Sequence, residues 1–300
     1  MRKYLGVMAL ISLALTSTAW ADSFVNGGFE SGDLSSWTES HGTISTGDPR
    51  VLTPGGTGGR TAAVSVNETD ATNKISNGLD TNTNSDLNVV YNGTYAARVN
   101  NYANGAHYSS LEQTVTNYAS NNIYFAWAAV LLDPSNTPHT AFETPYFQVK
   151  LTDVTSGSVL YDISFDSTYN LPPFAFHNGA TVNGDPNNNN GTWKYTYWNP
   201  VSIDVSSRQG DTFQLSVLAA DCTLGGHGGY AYVDAFNDTI LPSNPGIKTN
   251  SMTELGSGSP EVPEPATMLL FGSGLASAGF FRRRRAAGKP VKDQKKTPTV

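Results

Sequence analysis

The sequence predicts an all-β chain, an antiparallel sandwich set between two terminal segments of different character. Between residues 22 and 240 no run holds the 3.6-residue period of an amphipathic helix. Short alternating or wholly apolar runs recur there instead, bounded by turn residues, which is the pattern of a sandwich or barrel. The connections are rich in Asn, Gly, Thr and Ser, as in Gly55-Gly56-Thr57-Gly58-Gly59, Thr81-Asn82-Thr83-Asn84 and Asn187 to Asn190. Such residues favour turns and local side-chain-to-backbone bonding. The single cysteine, Cys222, rules out an intrachain disulfide. Stability therefore has to come from a core or a metal, and about 220 residues suffice for one sizeable core.

The chain opens Met1-Arg2-Lys3, continues with an apolar run from Tyr4 to Leu15, and reaches Ala19-Trp20-Ala21. Basic start, apolar centre and small-x-small end are the order of a secretory signal peptide, residues 1–21. Cleavage between Ala21 and Asp22 follows, with the Sec translocon and signal peptidase as partners. The flanks argue against the alternative, a buried N-terminal helix.

Strands are expected at Tyr95–Asn100, Ser109–Val115, Ile123–Leu132, Tyr146–Asp153 and Val159–Phe165. Further strands are expected at Trp193–Trp198, Val201–Val205, Asp211–Ala219 and Ala231–Phe236. In Phe213-Gln214-Leu215-Ser216-Val217-Leu218 the alternation suits an antiparallel strand wet on one side. The run Ile123 to Leu132 is apolar throughout and reads as a central strand, since its aromatics and the Asp133-Pro134 stop argue against a helix. One β-sandwich domain over 22–240 follows, with a Pro- and Gly-rich spacer over 241–261.

Residues 22–264 contain 8 Lys plus Arg against 24 Asp plus Glu, a formal charge of −16 that the basic ends mask in the whole-chain value of −7. So acidic a surface repels phosphate backbones and excludes nucleic acid as a partner. Divalent cations suit it better. Four Asn-x-Ser/Thr sequons, at Asn67, Asn92, Asn190 and Asn237, are expected by chance in a chain this rich in Asn and Thr.

Two groups of side chains invite chemistry. In Trp193-Lys194-Tyr195-Thr196-Tyr197-Trp198, the rings of Trp193, Tyr195 and Tyr197 share one face of a strand, with Trp198 opposite. Exposed, that strip is a sugar-binding platform, with flat rings to stack on and polar neighbours to bond. Buried, it is core packing, and the pattern admits either. The second group is Asp221, Cys222 and His227 within Ala220-Asp221-Cys222-Thr223-Leu224-Gly225-Gly226-His227-Gly228-Gly229. Zinc needs about four close ligands, whereas histidines 41, 107, 139, 177 and 227 are scattered. Cys222 therefore reads as a buried structural thiol and the surrounding glycines as conformational. Paired hydrolytic carboxylates are not identifiable from sequence, because their defining separation is spatial.

Near the C-terminus, Val262, Pro263, Glu264 and Pro265 precede an apolar segment, 266–281, and then Arg282, Arg283, Arg284 and Arg285. As a helix that segment reaches roughly 24 Å, a little short of a ~30 Å hydrocarbon core. The arginines would stay cytoplasmic, leaving the bulk of the chain outside. These three ordered elements resemble the PEP-CTERM sorting signal over 262–285. The resemblance implies an exosortase as partner, transient anchoring in the inner membrane, and a final place at the cell surface or outside. The basic tail 286–300 departs from the usual pattern, in which such signals stop soon after the arginines. A single-span anchor that is never processed is the alternative.

The mature start, Asp22 to Trp37, resembles the first strand of the galactose-binding-like jelly rolls found in carbohydrate-binding modules. Asn92-Gly93-Thr94-Tyr95-Ala96-Ala97-Arg98-Val99 resembles a middle element of those modules, and Tyr230-Ala231-Tyr232-Val233-Asp234-Ala235-Phe236 their last strand. That resemblance implies a structural calcium held by the Gly28 carbonyl, Glu30 and Asp234, with the Asn92 turn as a further candidate. Ca²⁺ takes 6–8 oxygens, carboxylates mixed with carbonyls, so the chemistry is consistent. Asp133-Pro134, His139, Glu143, Pro145 and the run from Trp198 to Asp234 also resemble a segment of bacterial adhesin-like surface proteins, which implies display rather than catalysis.

The expected function is thus a non-enzymatic, exported protein of the exopolysaccharide or biofilm matrix. The alternatives are a glycan-binding, lectin-like module and a polysaccharide hydrolase. Mass spectrometry of the protein released into culture should give a chain beginning at Asp22 and ending near Pro263. An intact N-terminus on that product would overturn the export reading.

Overall fold

The computed structural model describes residues 23–45, 51–56, 58–134, 139–140, 143–168, 175–183, 190–236, 242, 244 and 246–256. All of these belong to one unit, Met1–Ser257, with Gly258–Val300 forming another. The expected signal peptide, its expected cleavage site Ala21–Asp22 and the whole sorting tail lie outside the described residues. Among the described residues no helix is long and apolar enough to cross a membrane.

The strands in the first half are β1 (Thr38–Ser45), β2 (Val51–Pro54), β3 (Ala62–Ser65), β4 (Ile75–Ser76), β5 (Leu79–Asp80), β6 (Leu87–Asn88), β7 (Tyr95–Val99) and β8 (His107–Val115). Then come β9 (Asn122–Pro134), β10 (Tyr146–Asp153), β11 (Ser158–Asp166), β12 (His177–Val182) and β13 (Gly191–Tyr195). The last are β14 (Asn199–Asp204), β15 (Phe213–Ala220), β16 (Gly229–Asp234) and β17 (Thr253–Leu255). One sheet runs β11-β10-β15-β8-β1-β2 and the other β12-β13-β9-β16-β7-β3, with β14 pairing β9 beside β13. Short strands β4-β5-β6 form a third, small sheet. The fold is an antiparallel β-sandwich, with β14 and β17 as a parallel pair.

Two cores share the longer sheet. Phe125, Trp127, Ala129 and Leu131 of β9 pack between the sheets with Phe147, Leu215 and Val217. The alternate residues Ala126, Ala128, Val130 and Leu132 point the other way, into a second core with Ile75, Leu87, Val90 and Trp198. An unbroken apolar run is what a strand covered on both faces requires. β16 does the same, with Ala231 and Val233 inward and Tyr230 and Tyr232 outward. In β15 the alternation Phe213, Leu215, Val217 is fully buried while Gln214, Ser216 and Leu218 are half-buried.

Eight of the nine expected strands are present within a few residues of their expected bounds, and three local expectations need correction. Residues 25–36 form consecutive turns rather than a first strand, and β1 begins only at Thr38. The backbone there takes positive φ at Asn26, Phe29 and Ser36. The Asn26 amide satisfies its turn, donating to the Asp33 carbonyl (3.0 Å) and accepting from Ser31 N (3.3 Å). Next, the segment Trp193–Trp198 is not one strand. β13 stops at Tyr195, and the chain resumes pairing with β9 at Asn199, further along the same partner. The Asn199 amide bridges the break, donating to the carbonyls of Tyr197 (2.7 Å) and Trp127 (3.3 Å).

The third correction concerns the spacer 241–261, of which the continuous described run, 246–256, is docked onto the sandwich. β17 runs beside β14, Asn250 N donates to the Trp198 carbonyl (2.8 Å), and Lys248 pairs with Asp86. Proline and glycine content signals turns, but open backbone groups on β14 are a template for another strand.

Replacing Phe147, which is fully buried between Trp127 and Phe165 (ring centroids 5.0 and 5.3 Å), by alanine should cost about 3–5 kcal/mol in urea unfolding. Val159→Ala, at a position 49 % exposed, should stay within about 0.5 kcal/mol. Equal losses at both positions would contradict this core.

Candidate functional site

A pocket of about 370 Å³ opens where the small sheet meets the edge of the longer one. Its walls include Lys74, Asn82, Tyr102, Asn104 and Trp193, with the backbone of Gly226 and Gly228. Each comes from a different local device. Asp70 caps the 3-10 turn Ala71–Asn73 by accepting from Thr72 N and Asn73 N, and Lys74 ends that turn in the left-handed conformation. Asp80 caps the next turn, Thr81–Thr83, and so presents Asn82. Lys74 Nζ lies 5.1 Å from the centre of the Tyr102 ring, a cation–π contact. Trp193 stands on β13, its ring 5.6 Å from that of Tyr230, so only an edge of the indole reaches the pocket.

The aromatic strip is therefore not an exposed platform. Trp193 and Tyr195 do share a face, but that face lies under the small sheet in the second core, 4 % and 3 % exposed. The hydroxyls of Tyr195 and Tyr197 are already engaged, both donating to Asp86 Oδ2 at 2.6 and 3.1 Å. The Tyr197 ring packs against His177, centroids 4.0 Å apart with the planes tilted by 32°. Of the three residues, Trp193 alone lines the pocket. Tyr102, Lys74 and Asn82 were not singled out from sequence, because nothing local marks residues gathered from three separate turns.

Of the residues implicated in calcium binding, Glu30, Asn92 and Asp234 are brought to one turn. Asp234 ends β16 fully buried and accepts from Tyr91 N (3.0 Å), Asn92 N (2.9 Å) and Ala235 N. Glu30, exposed, accepts from Thr94 N (2.9 Å) and Tyr95 N (3.1 Å) of the same turn. Gly93 between them has φ +70°, and a Cβ there would sit 2.3 Å from Glu30 Oε1. A side chain there would be strained at that φ and would crowd the Glu30 carboxylate. Gly28 is half-buried in the turn that follows Asn26, and its neighbour Gly27 accepts from Phe236 N (3.1 Å), tying that turn to the end of β16.

Three further carboxylates are buried, of which Asp153 is paired with Arg208 and Ser156 while Asp80 and Asp221 lie around β16. Asp80 accepts the hydroxyls of Tyr230 and Tyr232, both at 2.7 Å, and Asn82 N at 2.8 Å. Asp221 accepts from Asn100 Nδ2 (3.1 Å), His107 N (3.0 Å) and Gly229 N (3.3 Å), so it turns away from Cys222 and His227. Burial raises Asp80, Asp221 and Asp234 above the usual carboxylate range, against hydrogen bonds that pull each down.

Residues 261–285 match the PEP-CTERM protein-sorting motif. The chain thus carries an exosortase-recognised signal for export, membrane-anchored transit and a surface or extracellular destination. No curated protein matches the chain by sequence. Among solved structures, TmCBM61 in complex with β-1,4-galactotriose is 14 % identical, covering 72 % of this chain and 97 % of that one, at a TM-score of 0.34. A carbohydrate-binding module of the β-sandwich superfamily is 14 % identical over 72 % of this chain and 61 % of that one, TM-score 0.32. The family 11 carbohydrate-binding module from Clostridium thermocellum, in complex with a β-1,3-1,4-mixed-linked tetrasaccharide, is 9 % identical over 67 % and 87 %, TM-score 0.25. At these identities and scores the likeness bears on neither ligand nor site.

A carboxyl with a raised folded pKa holds its proton where the unfolded chain has already lost it. Its contribution to stability is complete below the unfolded value and is lost as pH rises through the folded one. Stability should accordingly fall as pH rises out of the ordinary carboxylate range. Asp80→Asn keeps an acceptor for the two tyrosines and should flatten that fall in melting curves. A pH profile as steep as that of the parent chain would show that Asp80 does not titrate as burial dictates.

Proposed function

We propose that this is a surface protein, released or displayed through its sorting tail, whose sandwich binds extracellular glycan in the pocket without cleaving it. The observation that carries the reading is the pocket's lining. Tyr102 and the edge of Trp193 offer ring surface, Asn82 and Asn104 are amides, and Lys74 is an ammonium. Rings with a few convergent polar groups, in a cavity of roughly 300–1,000 Å³, suit a small polyhydroxylated ligand. The lysine adds a preference for sugars bearing a carboxylate or sulfate, within a protein otherwise strongly acidic. No carboxylate is among the described lining residues, whereas glycoside cleavage uses a pair of them. That supports binding over hydrolysis. An exopolysaccharide or biofilm matrix is the setting in which such a surface protein would act.

The second part of the proposal is a calcium ion held at the turn shared by Glu30 and Asp234. Both carboxylates meet backbone amides there and retain lone pairs, and the donor set is oxygen only, as Ca²⁺ prefers. Glu30, Asp234 and the Gly28 carbonyl would hold the ion, with Asn92 adjacent. Its role would be structural, joining the N-terminal turn to the end of β16.

Tyr102→Ala and Lys74→Ala should each weaken binding to the glycans that the parent protein selects on an array, by roughly tenfold if a stacking or ionic contact worth about 1.4 kcal/mol is lost. Failure to bind any polysaccharide would remove the glycan reading, and release of reducing sugar would replace it with hydrolysis. Calcium at 100 times its Kd should add about 2.7 kcal/mol to stability. Chelation should reverse that gain, and Glu30→Gln should respond to neither. An unchanged melting temperature with and without calcium would refute the structural ion.

A further inference from the structure

Beside the pocket, the connection from β15 to β16 holds a side-chain cluster that neither the glycan nor the calcium reading uses. Cys222 is fully buried and His227 is 2 % exposed. His139, from the connection between β9 and β10, reaches them from 83 residues upstream of Cys222. Its Nε2 lies 3.9 Å from Cys222 Sγ. The two imidazoles meet edge to face, centroids 4.9 Å apart at 86°. One ligand atom from each of the three side chains falls within 4.8 Å of the others.

We propose that His139, Cys222 and His227 form a site for one zinc-type transition-metal ion, bound by two imidazoles and a thiolate.

The hydrogen bonding around His227 supplies an independent argument. Its Nε2 lies 3.3 Å from the Asn190 carbonyl oxygen. A carbonyl only accepts, so Nε2 carries the hydrogen and Nδ1 the lone pair. That Nδ1 is buried with no hydrogen-bond partner among the described residues. A buried acceptor without a donor is costly, and a metal ion would satisfy it. An imidazole donating its far N–H to a backbone carbonyl is also the usual support of a metal-bound histidine. The loop is shaped for sulfur ligation as well. Cys222 N donates to the His227 carbonyl (2.7 Å), Gly225 N to the Cys222 carbonyl (2.9 Å), and Gly226 N to Cys222 Sγ (3.3 Å).

Zn–S of about 2.3 Å and Zn–N of about 2.0–2.1 Å in a tetrahedron place ligand atoms roughly 3.3–3.6 Å apart. The observed spread requires closure by up to about 1.5 Å, which rotation of the half-buried His139 supplies. Three protein ligands leave a fourth position for water or a ligand group, the arrangement of open zinc sites. The ion binds the thiolate, so the thiol proton passes to solvent on binding. Thiolate and imidazole select zinc-type ions over the hard, oxygen-seeking calcium. The site is therefore chemically separate from the Glu30–Asp234 turn.

The test uses the purified full chain, stripped by chelator and returned to excess calcium, then titrated with Zn(II). About one equivalent should bind. Losing even a supporting second-sphere group costs about 10–100-fold in affinity, so His139→Ala should weaken binding at least about tenfold. The zinc-free melting temperature of that variant should be unchanged, because His139 is the least buried of the three. Co(II) in place of zinc should give a sulfur-to-metal charge-transfer band, absent in Cys222→Ser. No uptake of Zn(II), uptake indifferent to His139→Ala, or a cobalt adduct without the band would each overturn the proposal.

Discussion

A carboxylate taken out of water must find donors for its lone pairs or stay protonated. Of the four buried aspartates among the described residues, Asp153 meets that condition through Ser156 and Arg208, and Asp80, Asp221 and Asp234 meet it around β16. Asp221 precedes the strand and accepts from Asn100 and from the backbone of His107 and Gly229. Asp234 ends it and accepts from the backbone of Tyr91 and Asn92. Between them Tyr230 and Tyr232 reach outward to Asp80 on the small sheet. Segments more than 100 residues upstream are thereby fixed to the last long strand, at its start, middle and end. Moving any of these segments would leave a buried carboxylate short of donors.

The location of the candidate sites follows from that clamp. The small sheet, held over the outer face of the longer one, removes the flat aromatic surface that β13 would otherwise expose. What stays open is the seam at its margin, where Lys74, Asn82 and Tyr102 meet Trp193. The turn Tyr91–Tyr95 gathers Glu30 and Asp234 because Asp234 is fixed by the backbone of that turn. The connection carrying Cys222 and His227 is likewise held by Asp221 at one end and by the Gly229 amide at the other. Each site is a by-product of how buried acids are satisfied.

Much of the sandwich could be read directly from residue order. β10, β15 and β9 announce themselves because alternation, or an unbroken apolar run, is a local record of which faces are covered. β4, β5 and β6 were not legible, since each spans two residues and no period can be expressed in two. The opening turns misled because the resemblance of Asp22–Trp37 implied a first strand, while positive φ at Asn26 and Phe29 curls the backbone between the core residues Phe24, Phe29 and Trp37. β17 was hidden by its Pro- and Gly-rich surroundings; its pairing depends on the free edge of β14, more than 50 residues away.

The sequence alone determined the sorting signal, the acidic character of the part before it, and a two-layer antiparallel sheet. Those properties reside in short contiguous windows, where charge, apolar length and periodicity act locally. Tertiary structure decided that Trp193 and Tyr195 face a second core, that Asp221 points away from Cys222, and that His139 approaches Cys222 from a distant connection. Each of those outcomes depends on which segment covers which face, and that choice is made by burial and donor satisfaction across the whole domain.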